Sequence, residues 1–292
     1  MFIIKYKSLF IGISLLLVIV SGVLMNTYGI KRGIDFTGGS VIDITYASTT
    51  PVLASAAFEE KEIVLYKTGE NTYRFVSSKT YEEISPVITS LANQNNVTPF
   101  TFTQVNTVGP TLGAEMTKKA IIALVTVVLA ILAFIAFSFR EVSLPVQSWK
   151  YGVIAMVTLI HDIIVPTGVY VLLSHKYGAE IDTLFIIALL TIVGISISDK
   201  IVVFDRIREN LKGKDKKDSF DDVVGKSLVQ TFTRSVNTSV TVILALLALY
   251  LFGPTMTKWF TLTLIVGMFV GTYSSIFVAS PLLTVWNNKN KK

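Results

Sequence analysis

In a chain of 292 residues, 51% of side chains are hydrophobic and 16% charged, well below the roughly 25% charged of water-soluble domains. The formal net charge is +6, with two histidines and no cysteine. That composition excludes a disulfide framework and thiolate chemistry, and it argues against a zinc site.

A bilayer core takes roughly 20 apolar residues per helix. The first such run, 8–30, follows the basic leader MFIIKYKS. It is longer than the roughly 7–15 residues of a signal-peptide core. Residues 1–30 therefore read as an uncleaved first span with its N-terminus in the cytoplasm.

Residues 31–119 are too polar to cross a membrane. VIDITYA (41–47) alternates like a strand, and PVLASAAFEEK is helix-like. EIVLYKTGENTYRFVS reads as two strands around a Gly-Glu-Asn turn. A helix around YEEISPVITSLANQ tolerates Pro86 near its first turns, and FTFTQVNTV is a last strand. The order βαββαβ predicts an α+β ferredoxin-like domain. Before it lies GIDFTGGS (33–40), with Asp35, Phe36, Gly38 and Gly39. Its glycines permit positive φ, but no Lys-bearing helix follows as in a phosphate loop. Read locally, the segment is a turn.

Residues 120–292 supply five more apolar runs: 120–139, 151–174, 183–204, 235–257 and 259–286. The fold class is thus a six-span α-helical membrane protein with one domain outside the bilayer. Trp149, Trp259 and Trp286 fall at predicted span ends, where amphipathic rings prefer the interface. With the N-terminus inside, fourteen Lys and Arg lie in short cytoplasmic segments, and the two short outer loops hold only Lys176 and Lys258. The positive-inside bias then makes both termini and the loop 205–226 cytoplasmic and 31–119 extracytoplasmic. The basic run KGKDKKD is a solvated loop on this reading, not a nucleic-acid site.

Ionisable groups inside the spans carry the functional signal. His161 and Asp162 lie in the third span, Asp199 and Lys200 in the fourth, and Arg234 starts the fifth. A charged side chain at a helix centre costs roughly 2.5–3.5 kcal/mol, so such groups face protein or a water-filled path. Neighbours on a helix point about 100° apart, so Asp199 and Lys200 do not face each other. Asp199 and Arg234 sit at similar depths on helices joined by one loop, which makes them the first pair to test. That pair is either a fixed salt bridge or a proton site. Asp162 is either a relay member or a buried hydrogen-bonding group. His161 points elsewhere, and Lys200 snorkels toward the cytoplasmic face. In the last span Gly267, Gly271, Ser275 and Ala279 form a small-residue stripe suited to close helix packing within the chain. No enzyme active site, cofactor site or metal site is legible.

GIDFTGGS, VGPTLGAEMTKKA, LIHDIIV, GISISDKIVVFDRIREN, QTFTRSVNTSVT and VGMFVGTYSSIFVASPL occur in that order across nearly the whole chain. In this the sequence resembles the SecD/SecF family of protein-export membrane subunits, within the resistance-nodulation-division superfamily. DFTGG and VVFDRIREN place it nearer the SecF branch. The resemblance implies an accessory role in the Sec translocase of a bacterial plasma membrane. There a SecF-like chain pairs with a SecD-like subunit beside the Sec channel and other translocase subunits. The proton gradient would then help exported polypeptide chains emerge. It also implies that Asp199 and Arg234 form the proton relay, with Asp162 a candidate further member on the reading of the residues above. The sequence departs from the family pattern at Ser198 and Lys200, where Asn and a small Ser or Thr are usual, so Lys200 is a candidate modulator of Asp199. Two alternatives stay open: a proton-coupled exporter of lipids or small molecules, and a structural membrane module without proton use.

Overall fold

The computed structural model describes residues 2–47, 53, 55–93, 100–138, 148–213 and 218–289. In chain order the elements are α1 (Phe2–Lys5), α2 (Lys7–Tyr28), α3 (Ile34–Thr37), β1 (Gly39–Tyr46), α4 (Ser55–Glu59), β2 (Ile63–Lys67), β3 (Thr72–Ser77), α5 (Tyr81–Asn93) and β4 (Phe100–Val108). There follow α6 (Pro110–Ser138), α7 (Ser148–Tyr177), α8 (Thr183–Lys212), α9 (Phe220–Phe252), α10 (Lys258–Ser274), a π turn (Ser275–Ala279) and α11 (Ser280–Lys289). Among the described residues, six helical segments are long and apolar enough to cross a membrane: Lys7–Tyr28, Pro110–Ile135, Trp149–Tyr177, Thr183–Lys212, Phe220–Phe252 and Lys258–Asn287. The count of six spans stands. The Arg140 position and most of the basic run, 214–217, lie outside the described residues.

The chain divides into two compact units. The first comprises Met1–Gly29, Ala123–Leu172 and Leu184–Lys292. Its inner helices meet through small residues. A Cβ on Gly168 of α7 would fall 2.3 Å from the Ser21 Cβ of α2, and one on Gly267 of α10 would fall 2.1 Å from the Ile192 Cδ1 of α8. A Cβ on Gly271 would stand 3.2 Å from the Ser196 Cβ. Backbones can come this close only where no side chain intervenes. Gly267 and Gly271 of α10 thus face α8 of the same chain. Lys7 ties the N-terminal helix to two others, donating to Asp221 at 2.8 Å and to Thr284 Oγ1 at 3.0 Å.

Segment 205–226, expected to be a loop, is mostly helix. α8 runs on to Lys212, and α9 starts at Phe220 with a capping box. In it Ser219 accepts from the Asp222 N–H at 3.1 Å, and Asp222 accepts from the Ser219 N–H at 3.2 Å. Polar residues such as Arg206 and Asn210 do not end these helices, because they bond across to Gln230 and Ser227, and Arg206 also pairs with Glu209 on its own helix.

The second unit comprises Ile30–Ile122 and Leu173–Thr183. Its four strands form one antiparallel sheet in the order β2-β3-β1-β4, with α4 and α5 between strands in the ferredoxin-like βαββαβ sequence. Period two decides the faces. Ile42, Ile44, Phe75 and Ile63 join Phe58 of α4 and Ile84 and Ile88 of α5 in a closed core. Each such side chain stabilises the domain by roughly 1.5–3 kcal/mol on burial. Asp43 and Arg74, directly opposite each other in the β1–β3 register, form a two-bond ion pair at 2.8 Å per bond.

Candidate functional site

α7, α8 and the last span bring four polar side chains around Asp162, which is fully buried. Its Oδ2 accepts from Ser196 Oγ at 2.5 Å, from Ser274 Oγ at 2.9 Å, and from Lys200 Nζ. Its Oδ1 lies 2.9 Å from His161 Nδ1. Ser196 and Lys200 are four residues apart, hence on one face of α8, and the ammonium also donates to the serine at 2.5 Å. Pro166 in α7 has no N–H for the carbonyl four residues back, which is that of Asp162.

Two expectations are corrected here. Lys200 does not snorkel; it is fully buried and paired with Asp162. Its face of α8 meets α7 and the last span, and withdrawing to water would strand a buried carboxylate at a cost of several kcal/mol. His161 does not point away from Asp162. Nδ1 is the ring nitrogen nearest the backbone, so the imidazole folds back onto the adjacent carboxylate, while the buried Nε2 has no hydrogen-bond partner among the described residues.

Asp199 faces another side of α8 and is half-buried. Ser235 Oγ donates to its Oδ1 at 2.5 Å, and Ser275 Oγ donates to its Oδ2. Asp199 and Arg234 line one cleft of about 260 Å³ with Thr238, Gly271 and Thr272. Among the described residues no ion pair joins Asp199 to Arg234; α9 offers Asp199 the adjacent Ser235, while Arg234 is exposed. Ser275, expected as a packing residue, is thus also a hydrogen-bond donor. It opens a π turn, a widened turn that recurs at functional sites. Adjacent Ser274 and Ser275 serve the two carboxylates separately.

Sequence reasoning missed Ser196, Ser235 and Ser274. The signal was hydroxyls inside otherwise apolar spans, next to named ionisable groups. Chemically the two carboxylates differ. Asp162 is neutralised by a buried ammonium. Asp199 is held by two hydroxyls, which can donate to a carboxylate or accept from a carboxylic acid. Among the described residues no cluster of three or more His, Cys, Asp or Glu side chains is placed to hold a metal ion.

In the second unit, the GIDFTGGS segment forms one helical turn, α3, and not a simple turn. Gly38 (φ 75°) and Gly39 (φ 121°) follow in conformations that favour glycine. A Cβ on Gly39 would lie 2.2 Å from the Ser77 carbonyl oxygen, and one on Gly38 would lie 2.8 Å from Pro110 Cα. A Cβ on Gly113 would meet the Gly38 nitrogen at 2.8 Å, so the GIDFTGGS and VGPTLGAEM motifs pack on each other. Phe36 is buried there, and Asp35 Oδ2 accepts from the Thr183 N–H at 2.9 Å.

A family model for the C-terminal region of the protein export membrane proteins SecD/SecF matches residues 88–289. The chain belongs to this family. A second model, the SecD/SecF GG motif, matches residues 23–50, which include Gly38 and Gly39. The protein translocase subunit SecF of Thermobaculum terrenum is 40% identical, covering 99% of this chain and 94% of the relative. That of Escherichia coli O157:H7 is 33% identical, covering 93% and 83%. The crystal structure of SecDF from Thermus thermophilus, a translocon-associated membrane protein, superposes with a TM-score of 0.83 at 32% identity over 98% of this chain. This chain spans 38% of the length of that one. SecDF in a super-membrane-facing form gives a TM-score of 0.70 at 32% identity. Within the SecD/SecF family, this chain is a multi-pass membrane protein of the six-span type.

Proposed function

We propose that this chain is an accessory subunit of the Sec protein translocase. With a SecD-like subunit it uses the proton gradient to promote export of polypeptides across the plasma membrane. Relatives named as translocase subunit SecF along nearly the full chain support the export role. One observation carries the proton reading: Asp199 shares a cleft with Arg234 and is held by two hydroxyls, with no fixed cation among its bonds to the described residues. The carboxylate alternates between the arginine and a proton. Lys200 leaves Asp199 free to do so, because it is committed to Asp162. Moving one charge through 100 mV is worth about 2.3 kcal/mol, enough to bias a conformational equilibrium more than tenfold. The distribution of Lys and Arg supports cytoplasmic termini, with 31–119 outside. No enzymatic step is assigned to the chain.

The test is export into inverted membrane vesicles with and without a proton gradient, beside the amount of assembled complex. Asp199→Asn keeps shape and removes titration; the gradient-stimulated component should vanish while complex is retained. Arg234→Met should lose the same component. Full stimulation in Asp199→Asn would overturn the relay.

A further inference from the structure

The carboxylate of the GG-motif segment ends on the helix that carries Asp199. The segment Lys31–Gly33 pairs with the loop between α7 and α8. The Gly33 N–H donates to the Ile181 carbonyl at 2.8 Å, and the Ile181 N–H donates to the Lys31 carbonyl at 2.9 Å. A Cβ on Gly33 would stand 3.2 Å from that Ile181 oxygen, so a side chain there would press on the pairing. Two residues further on, Asp35 Oδ2 accepts from the backbone N–H of Thr183 at 2.9 Å. Thr183 is the first residue of α8. The first N–H groups of a helix have no partner within it, and the positive end of the helix dipole favours an anion there. Asp35 therefore answers both needs of the α8 start from a segment far away in sequence. It is not part of the apolar core under the sheet, whose members are Ile42, Phe75 and their neighbours.

We propose that Asp35 is a positioning residue for proton transfer. It anchors the N-terminal end of α8, and thereby the axial register at which that helix presents Asp199. The proposal rests on the relay reading above. From Thr183 to Asp199 the helix is continuous over about 24 Å. An α-helix is stiff along its axis, so a slip of its first turn reaches Asp199 little diminished. The bond at Asp199 from Ser235, at 2.5 Å, tolerates only a fraction of an ångström before it is lost.

Two substitutions isolate the anchor. Asp35→Ala removes the acceptor. Thr183→Pro removes the donor and leaves the helix start intact, since proline suits the first helical position. Both are made in the full chain co-expressed with its SecD-like partner, with Asp35→Asn, which keeps an acceptor oxygen, and Asp199→Asn beside them. Three readouts are taken: amide exchange of the peptide from 183 to 190, the amount of complex, and gradient-stimulated export per complex. Asp35→Ala and Thr183→Pro should speed exchange in that peptide about tenfold and lower stimulated export several-fold. Export without the gradient should be unchanged, and Asp35→Asn should stay near the parent on all readouts. Retained stimulation in Asp35→Ala and Thr183→Pro overturns the anchor, as does a loss in Asp35→Asn as large as in Asp35→Ala. Asp199→Asn separates the two ideas. If it loses stimulation while Asp35→Ala does not, only the anchor falls. If it too keeps stimulation, the relay falls with it.

Discussion

The stability carried by Lys200 depends on what its loss would strand. Lys200→Met leaves the Asp162 carboxylate in an apolar interior with no counter-ion, a change that costs about 3–5 kcal/mol for buried pairs. Adding Asp162→Asn removes the stranded charge and should recover most of that loss, because a neutral isostere can accept from Ser196 and Ser274 as before. Thermal unfolding of the detergent-solubilised chain should show a lower midpoint for the single variant and a near-parental one for the double. An unchanged midpoint in Lys200→Met would mean that the pair carries no stability. Helical arithmetic sufficed to separate the faces of Asp199 and Lys200, as the structure has them. It could not name the neighbour on each face, which depends on how α7, α9 and α10 pack around α8. Nor do Ser196, Ser235 and Ser274 stand out in sequence, and Ser275 stands out only as a spacer, since small hydroxyl residues pack helices as well as donate.

Among the elements, the loop Gly178–Asp182 has a pH dependence of its own. Gly178 (φ 68°) lets the chain turn close to Tyr66, whose ring carbon lies 2.3 Å from where a Cβ would be. Burial pushes the Glu180 carboxyl up to about 7 from 4.5, against the pull of Arg74 and Lys31 and with a push from Asp182. A carboxyl raised in the folded state binds its proton more tightly there than in the unfolded chain. Stability therefore falls as pH rises through the window from about 4.5 to about 7, by up to about 3 kcal/mol. Glu180→Gln should abolish that fall, so the variant gains on the parent at pH 8 and matches it near pH 4. Unfolding midpoints of the full chain at those pH values check the sign; a variant that loses ground at pH 8 refutes it. Strands were legible because one face is buried and period two shows through, as in Ile42 and Ile44. Helix ends were not: Arg206 and Asn210 look like loop residues until Gln230 and Ser227 are found opposite them. The π turn was equally hidden, since SIFVA reads as ordinary helix.

At the scale of the molecule, burial is unequal. The third, fourth and sixth spans are 50%, 44% and 61% buried, whereas the first, second and fifth are 11%, 6% and 11% buried. Lipid suits the leucines of α2 and α6. It does not suit α9, which exposes Arg234, Asn237, Thr238 and Thr241 at helical spacing along one side. A SecD-like partner should cover that side. A single cysteine at Asn237, in a chain that has no other, should be alkylated readily in the isolated subunit and be shielded in the complex; equal labelling in both would place the partner elsewhere. The π turn has a last consequence, in the arithmetic of chain length. Beyond it, Thr284 accepts from Lys7 at 3.0 Å and Trp286 meets Trp149 edge-on at 5.3 Å. Deleting one residue between Ile276 and Ala279 would let the wide turn close to an ordinary α turn with both contacts kept in phase, whereas a deletion on either side of it would turn everything that follows by about 100° and lose them. Exchanging one apolar residue for another there keeps the phase. This stretch of the last span can therefore lose a residue that its neighbours cannot.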